Sequence, residues 1–315
     1  MIRRLGMTIL LLGLLLAFLA SVNGCGQSEE VAAPPHKDDN TFDGAGVGLD
    51  ETLEVVTWNL ENFAKSGTIT VAYVVEAVEA MDADVVAMQE IRSGTWFDQL
   101  VEGLDGWNGH RATSDSYMNL GFLYREDEAL EVGSFYEILR WDEAFPRIPL
   151  VFQGRFAGED FIIVNNHFKC CGDGFIDEED FWDEEYRRQR ACVALEGHIA
   201  ANWAEERVFV IGDFNDSLTD GASRNVFQVF LDKPDTYRFV DMAIAEGTGT
   251  GWSFPGYPSH LDHILINDPL FSSADGAGAL VQVVPLHTYF PRGLSEYDAL
   301  ISDHLPVVLR VDLAI

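Results

Sequence analysis

Leu53-Glu54-Val55-Val56-Thr57-Trp58-Asn59-Leu60-Glu61 opens the folded part of the chain: a β-branched run that reads as a buried strand, closed by the polar tip Trp58-Asn59-Leu60-Glu61. Four further apolar runs end in the same way, at Gln89-Glu90, Asn166-His167, Gly212-Asp213-Phe214-Asn215 and Ser302-Asp303-His304. If each run is a strand, its tip emerges at one edge of a sheet, where separate stretches of chain can build a single site. Pooled, the tips hold acids, carboxamides and imidazoles, the groups that a divalent metal and a phosphate ester require. They spread from Asn59 to His304, so a shared site needs one domain that joins both ends of the 315-residue chain.

Working outward, Leu53 to Trp58, Ile69 to Met81 and Asp84 to Met88 read as strand, helix, strand. Leu120 to Tyr124, Ile148 to Phe156 and Phe161 to Val164 follow with little helix between them, which implies antiparallel neighbours. Phe181 to Trp203 is the longest helical stretch, and Val208 to Ile211 is a strand that delivers Asp213. The tail adds Leu261 to Ile266, Val281 to Val284 and Leu305 to Val311. The expected fold class is α/β, two packed sheets with helices outside. There is no internal repeat.

Arg3 and Arg4 precede an apolar stretch from Leu5 to Ala20, too short for a membrane span and suited to a secretory signal. Val22-Asn23-Gly24-Cys25 resembles a bacterial lipobox, so residues 1–24 are expected to be a lipoprotein signal and Cys25 the lipidated new N-terminus. A plain cleaved signal, with Cys25 incidental, is the competing reading. Residues 25–51 are poor in large apolar groups and read as a flexible tether, leaving 52–315 as the domain. The expected location is therefore outside the cytoplasm, anchored to the cell envelope by lipid, with the protein a monomer. A formal charge of −32 repels polyanions and argues against tight non-specific nucleic-acid binding. Cys170, Cys171 and Cys192 allow one disulfide from Cys192 to either neighbour, and no second cysteine pair stands at zinc spacing.

Hydrolysis of a phosphodiester needs a cation on the phosphoryl group, an activated water and help for the leaving oxygen. Glu61 and Glu90 are hard oxygen ligands of the kind magnesium takes in small numbers. Asp213 is a candidate base, Asn215 can orient phosphate or water, and His167 and His304 can donate hydrogen bonds as charge builds. Singly, each of these is as well explained by a polar turn or a satisfied loop residue.

In their joint order the tips, with Leu261-Asp262-His263 and Leu305-Pro306-Val307, resemble the endonuclease/exonuclease/phosphatase superfamily, which includes deoxyribonuclease I, exonuclease III-like enzymes and bacterial sphingomyelinases. The likeness runs from about Leu53 to Asp312. It implies a four-layer α/β sandwich, deoxyribonuclease I-like, with mainly antiparallel sheets. It also implies a magnesium cofactor, with manganese as substitute. Glu90 would be the main metal ligand, with Asn59, Glu61 and Asp303 beside it, and Asp262 would orient His304.

Two places depart from the family pattern. Tyr117-Met118-Asn119-Leu120-Gly121 offers no acid to support His167, though Tyr117 stands where a substrate-contacting tyrosine is expected. The insert from Lys169 to Asp180 places Asp173, Gly174, Asp177 and Asp180 at calcium-loop spacing. Lys169 and Cys171 occupy the first two ligand positions, which excludes a full EF-hand. A loop stabilised by Ca2+ between Asp173 and Asp180 and an acidic solvated loop both remain. Arg187, Arg188 and Arg190 either neutralise a substrate phosphate or pair along a surface helix with Glu184 and Glu185.

Three functions follow. A nuclease acting transiently on DNA is favoured. A sphingomyelinase-like lipid phosphodiesterase is the alternative, because Tyr289-Phe290 stands where an aromatic hairpin would touch lipid. A non-catalytic surface binder of the same fold is the third.

Overall fold

The computed structural model of the protein describes residues 41–114, 117–127 and 129–314, all within one compact unit. Its strands, in chain order, are β1 (Leu53–Phe63), β2 (Val85–Ile91), β3 (Trp107–Arg111), β4 (Asn119–Arg125), β5 (Leu130–Glu137) and β6 (Leu150–Phe156). There follow β7 (Glu159–His167), β8 (Val208–Asp213), β9 (Tyr237–Phe239), β10 (Asp262–Asn267), β11 (Leu280–Val283) and β12 (Val307–Val311). They form two six-stranded sheets, ordered β11-β12-β1-β2-β4-β3 and β5-β6-β7-β8-β10-β9. Helices α1 (Thr68–Met81) and α2 (Gly94–Gly103) cover the first sheet, and α3 (Glu184–Asn202) covers the second. This is the four-layer α/β sandwich.

The layering explains why the strands read as unbroken apolar runs. Successive side chains alternate faces, and here both faces are covered. Val56, Trp58, Val86 and Met88 meet Val74, Val78 and Met81 of α1, while Val55, Val85, Phe122, Phe152, Ile163 and Ile211 fill the space between sheets. On the far side Val164 and Val210 pack on Ala191, Leu195 and Ile199 of α3.

Two parallel pairs, β1 with β2 and β7 with β8, sit inside otherwise antiparallel sheets. All four strands therefore end at one edge, bringing Asn59, Glu90, His167 and Asp213 there. Antiparallel neighbours begin at that edge, so β10 starts with Asp262 opposite Asp213, and β12 starts just after His304. Beneath the edge, Gln89 Nε2 donates to Asn165 Oδ1 (2.8 Å), and Asn165 Nδ2 donates to the carbonyls of Met88 and Gly121 (3.0 Å each). These carboxamides brace one sheet against the other. At Gly212 (φ +144) a Cβ would collide with the Asn166 carbonyl, so the close approach of β7 and β8 requires glycine.

The signal, Cys25 and the tether up to residue 40 lie outside the described residues. The rest of the expected tether belongs to the domain: Phe42, Ala45 and Val47 are buried, Val47 N donates to the Met81 carbonyl (2.8 Å), and the Val47 carbonyl accepts from the Arg310 guanidinium (2.8 Å). Phe42 finds its partners in Tyr73, Tyr289 and Phe290, which are remote in sequence. Among the described residues no helix is long and apolar enough to cross a membrane. Cys170, Cys171 and Cys192 are free thiols, and Cys192 is buried in the α3 core, which corrects the expected disulfide.

Candidate active site

Asp213 stands at the centre of the strand-end cluster, fully buried. Asn215 N donates to its Oδ1 and Asn59 Nδ2 to its Oδ2, both at 2.9 Å, so the carboxylate is held in one orientation. His167 Nε2 lies 3.5 Å from Oδ2 and 3.9 Å from Glu90 Oε1. His304 Nε2 lies 4.0 Å from the same Oδ2 and 3.9 Å from Asp303 Oδ1. Its other nitrogen, Nδ1, is 2.7 Å from Asp262 Oδ2, the acid–imidazole pair expected from the sequence. Of the sequence-derived site, Asn59, Glu61, Glu90, His167, Asp213, Asn215, Asp262, Asp303 and His304 thus come together.

Burial opposes charge on His304, yet Asp262, Asp213 and Asp303 outweigh it and push the imidazole up to about 10. Burial, with Arg147 and His304 nearby, holds His167 well below its usual value and so neutral. Burial raises Asp213 despite the favourable His304 charge. His167 Nδ1 has no partner among the described residues, matching the missing acid near Tyr117.

The acids beside this group fit a hard cation. Asp303 N donates to Glu61 Oε2 (3.1 Å), Glu61 N to Asn59 Oδ1 (2.9 Å) and Asn62 N to Glu90 Oε2 (2.8 Å), which sets three carboxylates round one mouth. Asp303 Oδ1 is buried with no hydrogen-bond partner, an acceptor that an ion would satisfy. Glu61, Asn62 and Glu90 also hold left-handed backbones (φ +36, +56 and +63), as does Asn215 (φ +53). Side chains with a Cβ adopt that region at a cost, and such residues gather where a site demands it. Asp213, Asp262 and His304 also come within 4.8 Å of one another. The Glu61, Glu90, Asp303 and Asn59 oxygens could hold a hard cation more readily than this second group, in which His304 Nδ1 is already committed to Asp262.

Several functional neighbours carried no signal in the sequence. Lys65 pairs with Glu61 and reaches Asp298 Oδ1 at 2.9 Å. Phe254 packs on the His304 ring at 4.7 Å, and Tyr297 OH donates to the His304 carbonyl (2.6 Å). Arg92 donates to Asn62 Oδ1 (3.2 Å) and lies over the Tyr117 ring at 4.4 Å; that ring is 67% exposed. A cation and an open aromatic therefore flank Glu90.

Three expectations are corrected. Arg188 is buried and committed to Asp216 Oδ2 (2.7 Å), the carbonyls of Lys169 and Cys171, and Glu185, so it ties down the insert and faces no substrate. Arg187 donates to the Glu143 carbonyl (2.9 Å) and stacks on Trp182. In the insert, Asp173, Asp177 and Asp180 each accept the backbone N–H two residues on, a run of turns and not a calcium cage. The insert acids that do converge are Asp183, Glu184 and Glu185, where Asp183 caps α3.

No curated protein matches the sequence. Among solved structures the chain is similar to D. rerio TDP2 complexed with a single-strand DNA product, with a TM-score of 0.63 and 14% identity over 83% of this chain and 99% of that one. It is also similar to the human Nocturnin catalytic domain with bound sulfate (0.57, 16%, 83% and 93%). An endonuclease/exonuclease/phosphatase from Bacteroides vulgatus gives 0.57, 16%, 83% and 99%. At such identities these are likenesses of fold. Residues 56–304 match the endonuclease/exonuclease/phosphatase family, a span that takes in every tip from Asn59 to His304, and the chain belongs to that family.

Proposed function

We propose that the protein is a divalent-metal phosphodiesterase that cleaves DNA, exported and held at the cell envelope by lipid on Cys25. Family membership supplies the coarse class, hydrolysis of a phosphoester. The observation that supports a hydrolytic site is the convergence of His167, Asp213 and the Asp262–His304 pair beside Glu90, all within 4.0 Å links; export and the lipid rest on the sequence of residues 1–25.

A divalent cation on Glu90, Glu61, Asp303 and Asn59 would set positive charge against the phosphoryl oxygens. Asp213, aligned by Asn59 and Asn215, takes a proton from the attacking water. His304, kept cationic by Asp262, donates from Nε2 to a phosphoryl oxygen as its charge grows. Neutral His167 donates from Nε2 on the other side of Asp213. Asn215 holds the Phe168 carbonyl (3.4 Å) and so steadies the loop after His167.

DNA is favoured by the rim. Arg92 over the exposed Tyr117 ring joins a phosphate-seeking cation to a surface on which a base can stack. The DNA product in the D. rerio TDP2 structure lends the same reading support. The lipid alternative loses its aromatic-hairpin argument, because Phe290 is buried against Phe42, Tyr73 and Tyr297, and Tyr289 packs on Phe42.

Purified protein should degrade plasmid and single-stranded DNA with magnesium and stop when a chelator is added. Glu90→Ala and His304→Ala should each lose about 10²- to 10⁴-fold in rate. Cleavage of sphingomyelin vesicles without DNA cleavage would overturn the substrate. Palmitate labelling that survives Cys25→Ser would overturn the anchor.

A further inference from the structure

Cys170 and Cys171 follow the catalytic strand β7 by three residues, and their sulfurs are 3.1 Å apart. We infer that these two thiols form a chelating site for one thiophilic metal ion, separate from the oxygen-lined cation site.

The turn that presents them is built and held. Cys171 has a left-handed backbone (φ +71), followed by Gly172 at φ +109. A residue with a Cβ adopts that conformation at a cost, so the surroundings must impose it. They do so through two charged side chains that are nearly fully buried. Arg188, 3% exposed, donates to the carbonyls of Lys169 (2.7 Å) and Cys171 (2.8 Å) and so clamps both ends of the dipeptide. Glu185, 2% exposed, accepts from Gly174 N (2.6 Å), and its carboxylate occupies the space where a Cβ on Gly172 would stand.

The sulfurs do not serve the core. Cys171 is exposed and Cys170 half-buried, whereas Cys192 is the cysteine that packs in the α3 interior. Nor is the pair shaped for a disulfide. Neighbouring Cα atoms across a trans peptide are about 3.8 Å apart, short of the roughly 4.4 Å at which ordinary disulfides begin. A bridge here would be strained and easily reduced. One metal ion asks less of the backbone. With metal–sulfur bonds of about 2.3 Å, two sulfurs on a tetrahedral ion stand roughly 3.8 Å apart, a small opening from 3.1 Å for an exposed side chain. Thiolates select soft ions over magnesium or calcium, so the two sites would not compete for the same metal. As the ion binds, each thiol releases its proton to solvent and no electron changes hands. A divalent ion and two thiolates leave the net charge of the site unchanged; Lys169, whose Nζ donates to the Cys170 carbonyl (2.8 Å) and pairs with Glu184 (3.3 Å), steadies the turn, and water completes the coordination on the open side.

Reduced full-length protein should be titrated with Cd2+ and followed by ultraviolet sulfur-to-metal charge-transfer absorbance. One ion per chain is expected, with Cys170→Ser and Cys171→Ser each weakening uptake at least about tenfold, because a second tethered ligand acts at high effective concentration. Both variants keep Cys25 and Cys192. A signal that persists unchanged in either variant, with circular dichroism unaltered, places the ion elsewhere and overturns the inference. So does a wild-type pair that stays closed as a disulfide under mild reductant and takes up no ion.

Discussion

Two buried groups of aspartate and histidine lie close to β8 and β10, and they differ in what they leave unused. Asp213, Asp262 and His304 face the cleft, with Asp262 Oδ1 unpartnered and neighbouring Asp303 Oδ1 likewise. Asp241, His260 and His263 lie inside, with every polar atom matched. Asp241 Oδ2 accepts from His263 Nδ1 (2.6 Å) and His260 Nε2 (3.0 Å), and Oδ1 accepts from Ile264 N (3.0 Å). His263 Nε2 donates to the Asp216 carbonyl (2.9 Å), while His260 Nδ1 accepts from Ser253 N (3.3 Å). His263 therefore donates from both nitrogens and is a cation, and His260 donates from one and is neutral. Phe214, Phe227 and Phe239 enclose the His263 ring. Both groups could be mistaken for metal sites by content alone. What separates them is spare bonding capacity: the outer group has it, and the inner group has spent it on holding the hairpin that carries Phe254 and Asp262.

The sharpest test of this division is Asp213→Asn. It should lower kcat/KM on DNA by about 10³-fold while thermal unfolding stays level or rises, since a neutral carboxamide of the same shape is easier to bury. Asp241→Asn should do the reverse. Losing the partner of the His263 cation is expected to cost up to about 3–5 kcal/mol in urea unfolding, with turnover per folded molecule within a few-fold. A variant pair with these two outcomes exchanged would break the comparison.

A smaller effect sharpens it with pH. Burial opposes the His263 cation, but Asp241 wins and raises its value. The stability this brings is full below the usual histidine range and fades as pH rises through the elevated value. Burial likewise works against Asp241, and its histidines still hold it below the usual carboxylate range. Its contribution is present above that range and lost as pH falls through the depressed value. The stability gap between wild type and Asp241→Asn should therefore be widest from weakly acidic to neutral pH and narrow on both sides, measured by urea unfolding across a pH series. The smallest effect concerns a residue in neither group. Tyr117→Ala should raise KM for DNA, consistent with roughly 1–3 kcal/mol per stacked base, and leave stability unchanged. An unaltered KM would remove the stacking role.

Much of this was legible in the chain because strands buried on both faces write continuous apolar runs, and a polar tip at the end of one stands out. That logic located Asn59, Glu90, His167, Asp213 and His304. It failed where burial is partial: β5 exposes half of its residues, and β9 is three residues long. It also failed where one residue type serves two environments. Arg188 in a run of arginines looks the same whether it meets phosphate or a buried acid, and only Asp216 and Glu185 in place decide. Tyr289-Phe290 read as a loop probe because its partner, Phe42, is far away in sequence.

The backbone at Glu61, Asn62, Glu90 and Asn215 carries one more consequence. Each sits where glycine is more comfortable, so a laboratory selection that rewarded heat tolerance alone would be drawn to these positions first. Glu90→Gly would relax the end of β2 and erase the proposed chief ligand of the cation in one step. Thermostable offspring of this enzyme should therefore be screened for turnover at every round, since the easiest gains in robustness lie on the residues that do its work.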